Sequence, residues 1–114
     1  MTNKVSYKNA PSYIWGDNCK SWVLSDHQSL SVKEEMMPPG TKEQLHYHQK
    51  SIQFFYILKG EATFFINNQH HQLKSFDGIT ILPNQQHFIS NEGIDDLLFL
   101  VISHPETTND RINL

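Results

Sequence analysis

Cysteine is almost absent, with Cys19 standing alone in a chain of 114 residues. No intramolecular disulfide framework can form, and a reducing, cytoplasmic compartment is the expectation. With no second cysteine and no candidate histidine ligand near it in sequence, Cys19 is expected to be structural or merely free. Long apolar runs are missing too: the longest, Leu97 to Ile102, is far too short to cross a membrane. The opening segment, MTNKVSYKNAPSYIW, carries charge but no apolar stretch, so a secretory signal is not expected. Basic residues are not in excess: 9 Lys+Arg stand against 12 Asp+Glu, for a formal net charge of −3. No basic stripe is present, which argues against nucleic acid as a partner. Internal repeats, linkers and low-complexity tracts are also lacking, and no window supports a long helix. The length suits one domain with one core.

What the sequence does have is short strand-like segments between turn signals. GDN (16–18), PPG (38–40), KGE (59–61), NNQ (67–69), FDG (76–78), PNQ (83–85) and NEG (91–93) punctuate runs rich in β-branched and aromatic residues. That rhythm predicts an all-β sandwich or barrel. FFINNQHHQL reads as a tight hairpin, because asparagine tolerates the positive φ of a two-residue turn. LSVKEEM alternates apolar Leu30 and Val32 with charged Lys33 and Glu35, as an outer strand should. IQFFYIL and LLFLVIS are nearly continuous, which predicts burial on both sides. From about Pro105 onward the chain is polar and is expected to form a tail or a short final element.

Histidine is the unusual count, at 7. On a strand, His46 and His48 point to one face and Tyr47 to the other, so the two imidazoles could share a metal ion. A pair of surface histidines on an edge strand fits the same spacing. Gln53 falls on the returning strand after the QKS turn and shares a face with Phe55 and Ile57. A buried amide without partners costs about 1–3 kcal/mol, and a metal on its carbonyl oxygen would meet half of that need. Backbone partners would meet it as well. His87 opens the strand HFIS after the Pro83-Asn84 turn, the position of a third ligand or of a surface residue after a loop. His27, His70, His71 and His104 have no ligand-like spacing and are expected in solvent.

Together these residues resemble the cupin superfamily. Gly40 is followed by TKEQL, His46-Tyr47-His48, QKSI, Gln53, FFYILK and Gly60, which is the spacing of the first cupin motif with glutamine in the acidic position. FDGITILPNQQHFISN is similar to the second motif: Asp77, Pro83, His87 and Asn91 match, Asn84 stands at the glycine, and Phe76 and Leu82 replace a glycine and a proline. Asparagine is the best substitute at a left-handed turn position. The resemblance spans about residues 20–103 and implies a double-stranded β-helix, or jelly-roll, barrel. It makes residues 1–114 one cupin domain with an N-terminal arm and a C-terminal tail. It is strongest for small single-domain bacterial cupins with three histidines and one glutamine, and it implies one divalent metal (Fe, Mn, Ni or Zn) on His46, His48, Gln53 and His87.

Neutral ligands would leave the ion's +2 charge uncompensated, favouring an anionic or oxygenated small molecule. Phe55, Ile57 and Ile89 share faces with the ligands and would line an apolar pocket, and Gln44 has the parity of His46. No catalytic acid or base stands out. Two readings compete: a metal-dependent enzyme of dioxygenase or isomerase type, and a non-catalytic sensor or binding module for a sugar or metabolite. A cupin whose site has decayed is a third, which the three histidines argue against. Tyr13, Ile14 and Trp15 precede the barrel, and small cupins commonly pair, so a homodimer is expected.

Overall fold

The computed structural model describes residues 3–114 and contains eleven strands, with no helix among the described residues. They are β1 (Ser12–Trp15), β2 (Cys19–His27), β3 (Leu30–Met37), β4 (His46–His48), β5 (Ile52–Lys59), β6 (Ala62–Ile66), β7 (Gln69–Leu73), β8 (Gly78–Ile81), β9 (His87–Ser90), β10 (Leu97–His104) and β11 (Arg111–Asn113). Two sheets result: a six-stranded one in the order β1-β2-β3-β10-β5-β8 and a five-stranded one in the order β11-β4-β9-β6-β7. From β3 onward the chain changes sheets at every connection except the β6–β7 hairpin, which is the path of a double-stranded β-helix. All strand pairs are antiparallel.

Period-two alternation builds the core between the sheets. Phe64, Phe99, Met37, Ile57 and Leu97 are each fully buried, and Ile81 and Ile89 are 1 % exposed. Each such side chain contributes about 1.5–3 kcal/mol on leaving water. Phe55 meets Phe64 edge to face, with ring centroids 5.0 Å apart.

The turns follow their residues. Asn67 and Asn68 take φ of 48° and 69° in the two-residue turn between β6 and β7, as the sequence predicts. Asn84, at the expected glycine position, has φ 69°. Gly60 has φ +88°, and a Cβ there would stand 2.8 Å from the Asp96 carbonyl oxygen, so only glycine fits.

Two expectations need correction. β5 and β10 are buried on one face only: inward residues alternate with half-buried or exposed ones, Ile52 being 40 % and Phe54 38 % exposed. Their continuous apolar character reflects an apolar outer face. β3 is also turned the other way from the expectation. It is an interior strand, between β2 and β10, and Lys33 and Glu35 pair with Val101 and Phe99 on the inner face. The charged residues thus face a cavity between the sheets, and Leu30 and Val32 face outward. The polar C-terminal residues form a short final element, β11, paired along β4.

Asn91, the last residue of the second motif, works as a backbone clamp. It is 1 % exposed; its Nδ2 donates to the carbonyls of Met37 (2.8 Å) and Asp95 (2.9 Å), and its Oδ1 accepts from the Gly93 amide (3.0 Å). Asn91→Leu keeps the branched shape but strands these groups in a dry interior. The expected loss is about 3 kcal/mol in urea unfolding. A loss below roughly 0.5 kcal/mol would show that the clamp is dispensable.

Candidate metal centre

β4 and β9 lie side by side, and their pairing brings His46 opposite His87. Alternation along β4 puts His46 and His48 on the inner face and leaves Tyr47 half-buried between them. All three histidines are buried, at 2 %, 4 % and 0 % exposure for His46, His48 and His87. Their ring centroids lie 4.3–5.6 Å apart, and one nitrogen from each falls within 4.8 Å of the others.

Each ring is oriented from behind by a backbone carbonyl. His46 Nδ1 lies 2.7 Å from the Gln44 oxygen, His48 Nδ1 2.9 Å from the Asp110 oxygen, and His87 Nδ1 2.8 Å from the Gln85 oxygen. A carbonyl only accepts, so each Nδ1 must carry the proton and each Nε2 presents a lone pair. The Nε2 atoms of His48 and His87 are buried without a hydrogen-bond partner. Gln53, 7 % exposed, repeats the pattern: its Nε2 donates to Ser103 Oγ at 3.1 Å, and its Oε1 is buried with none. Buried acceptors are rarely left unpaired, and several sharing one cavity wall fit a bound cation.

The electrostatics agree. Burial pushes the His46 pKa down to about 3 and that of His87 to about 4, and lowers that of His48. The rings therefore stay neutral near pH 7, the form that binds metal. Asp110 ties the wall together. Its carboxylate accepts the amides of Gln49, Lys50 and Ser51, while its carbonyl holds His48.

The site opens onto a cavity of about 260 Å³. His46, His48, Gln53 and Phe55 lie on its wall. Gln44 does not: its side chain is outside, donating to the Leu114 carbonyl at 3.3 Å, and its contribution is the carbonyl on His46. The stretch between Thr41 and β4 is irregular, so strand parity does not carry across it. Ile57 and Ile89 sit in the core cluster, one pleat further along β5 and β9 than the cavity. The remaining histidines stay apart from the centre: His27, His70 and His104 are exposed and His71 is half-buried. Cys19 is wholly buried, with its thiol pKa pushed up by burial.

The cavity also holds charged groups that no sequence pattern marks as site residues. Lys33 and Glu35 come from β3, Glu43 from the segment before β4, and Arg111 from β11. Glu43 Oε1 accepts the Ile89 amide at 3.2 Å, and Ser21 Oγ donates to Glu35 Oε2. Glu43 lies inside the first motif, three residues before His46, which is the one sequence signal that could have marked it.

The cupin domain family matches residues 33–103, more than half of the sequence. The chain belongs to the cupin family. An uncharacterized protein of Methanocaldococcus jannaschii is 34 % identical over 80 residues, which are 70 % of this cupin and 64 % of that protein. An oxalate-binding protein of Thermotoga maritima is 35 % identical over 66 residues, which are 58 % of this cupin and 54 % of that one. This cupin thus spans less than two thirds of either relative. The structure is also similar to that of a protein described as a predicted oxalate decarboxylase from Thermotoga maritima, with a TM-score of 0.83 at 22 % identity over 91 % of this chain and 100 % of that one. At that identity the likeness is one of fold.

The low histidine pKa values set a pH dependence. An unfolded histidine takes up a proton near pH 6.5, whereas His46 and His87 in the fold refuse it until about 3 and 4. Below about 6.5 the unfolded state therefore binds more protons, and stability falls as pH falls. Glu43, raised to about 8 by burial, and Glu35, also raised by burial, act in the opposite sense and offset part of the histidine effect. In metal-free protein, His87→Phe should lessen the loss of melting temperature between about pH 7 and about pH 5 relative to wild type, measured by calorimetry; an unchanged difference would show that His87 does not stay neutral in the fold.

Proposed function

We propose that this cupin holds one divalent transition metal on His46, His48, Gln53 and His87 and acts on a small carboxylate anion. The observation that carries this reading is the set of buried, unpaired acceptors on His48, His87 and Gln53, two of which line a cavity whose wall also carries Arg111 and Lys33. Four neutral ligands would leave the ion's full charge to attract an anion, and Arg111 adds a second anchor suited to a carboxylate. The metal, when bound, would supply Lewis-acid stabilisation of negative charge on a substrate oxygen. Between the dioxygenase and isomerase types, the titratable groups around the cavity favour the isomerase type. A second reading, a binding or sensor module without turnover, is favoured by the relative named as oxalate-binding.

Oxalate is the first probe. Zinc-loaded protein should bind it saturably in calorimetry; metal-free protein and His48→Ala should not. Loaded protein that ignores oxalate and other small carboxylates would overturn the anion reading. Gln53→Glu sharpens the ligand assignment. A carboxylate against the ion should raise zinc affinity about tenfold or more and weaken oxalate binding, because the site's positive charge drops by one unit. A mutant that melts far lower whatever metal is added would instead mark Gln53 as a core amide burying an uncompensated charge.

A homodimer in the cytoplasm, with residues 1–114 as one domain, belongs to the same reading. The outer face of the six-stranded sheet presents Ile14, 61 % exposed, and Phe54 beside the half-buried Tyr56, Leu98, Leu100 and Ile102. The β5–β10 part of this face is an apolar patch that suits a second copy of the chain. The lone unpaired cysteine accords with a reducing compartment. Sedimentation equilibrium should give twice the chain mass, and Leu100→Lys should give monomers; a monomeric wild type would sink the pairing.

A further inference from the structure

The geometry points to Glu43 as the acid–base group of the cavity, exchanging a proton with an enolisable carboxylate substrate whose carboxylate rests on Arg111. This deepens the anion-binding reading and rests on it. Glu43 is placed for such work. Its side chain is only 12 % exposed and lines the same cavity as His46, His48 and Gln53. One carboxyl oxygen is fixed: Oε1 accepts the Ile89 amide on the neighbouring strand at 3.2 Å. The other, Oε2, has no hydrogen bond. Arg111 Nη1 is its nearest cation at 3.7 Å, beyond hydrogen-bond reach, and Arg111 Nε is already engaged with Asn113 Oδ1 at 2.8 Å.

Here the guanidinium makes only this loose contact with Glu43 and is 39 % exposed on the cavity wall, so its remaining N–H groups can take a ligand's carboxylate. The charged and titratable groups that line the cavity with Glu43 are Arg111 on β11, Glu35 and Lys33 on β3, Tyr13 on β1 and the neutral His46 and His48 on β4. Burial, reinforced by Glu35 and opposed by Arg111, raises its pKa to about 8, so either protonation state is within reach near neutral pH.

The step conserves atoms and electrons. With a 2-oxo acid bound, the Glu43 carboxylate takes a proton from the carbon next to the carbonyl. The C–H electron pair becomes the enolate double bond, and the carbonyl pair moves to oxygen. Once the Glu43 carboxyl has exchanged its proton with solvent, reversal returns a solvent proton to the same carbon face, and no oxidant or reductant is needed.

Pyruvate in heavy water tests this. Zinc-loaded wild type should exchange the pyruvate methyl protons for deuterium, followed by NMR. E43Q, which keeps the Ile89 contact and is neutral, should slow exchange about 100-fold or more with pyruvate affinity nearly unchanged. E43D, still titratable, should restore part of the rate, which a structural role would not do. In metal-free protein, carboxyl carbon NMR should show one group titrating near pH 8 that E43Q removes. Pyruvate bound but exchanged equally fast by wild type and E43Q, or a Glu43 carboxyl titrating in the ordinary acidic range, overturns this assignment alone. Loaded protein that binds neither oxalate nor pyruvate overturns both it and the anion reading.

Discussion

Three hydrogen bonds from imidazole Nδ1 to backbone carbonyls decide what the rest of this barrel can do. They fix the tautomer of His46, His48 and His87 and leave three Nε2 lone pairs free on rings whose nitrogens lie within 4.8 Å of one another. Burial then keeps the rings neutral. Without the bonds, each ring could rotate or switch tautomer and satisfy its nitrogens locally. With them, a dry wall of acceptors is left facing a cavity, and its unmet hydrogen-bonding need is what a cation would answer.

The sheets exist, in this sense, to hold those carbonyls still. The Gln85 oxygen sits in a turn fixed by the left-handed Asn84. The Asp110 oxygen is held by a residue whose carboxylate clamps the 49–51 turn. The Asn91 clamp joins the end of β3 to the loop before β10, on the flank of the same layer.

Much of this was legible in the chain. The turn residues marked the strand boundaries, because Gly60, Asn67, Asn68 and Asn84 sit where φ is positive and few other residues can. His46 and His48 were legible from pleat parity, since β4 is regular. Three features were hidden, each for a physical reason. Parity fails across irregular backbone, so Gln44 was expected where Glu43 stands. Sharing a face is not sharing a height, so Ile57 and Ile89 fell into the core beyond the cavity. Most of all, a charged residue on a strand reads as solvent-facing, and nothing local shows that a barrel interior will receive it. Lys33 and Glu35 point inward because their neighbours on β10, Val101 and Phe99, do, and that pairing joins residues far apart in sequence. Arg111 was missed likewise: its strand exists only by pairing with β4.

That short last strand has a dynamic consequence. β11 pairs with β4 over three residues at the edge of its sheet. It carries Arg111, and the residue before it, Asp110, holds His48 across 62 positions of chain. Edge elements of this size open by local unfolding far more readily than a whole domain does. Each opening would free the His48 ring and withdraw the guanidinium together. Retention of the ion and capture of the anion would then share one fraying equilibrium, so amide-exchange protection along 110–113 and the residence time of either guest should change in step.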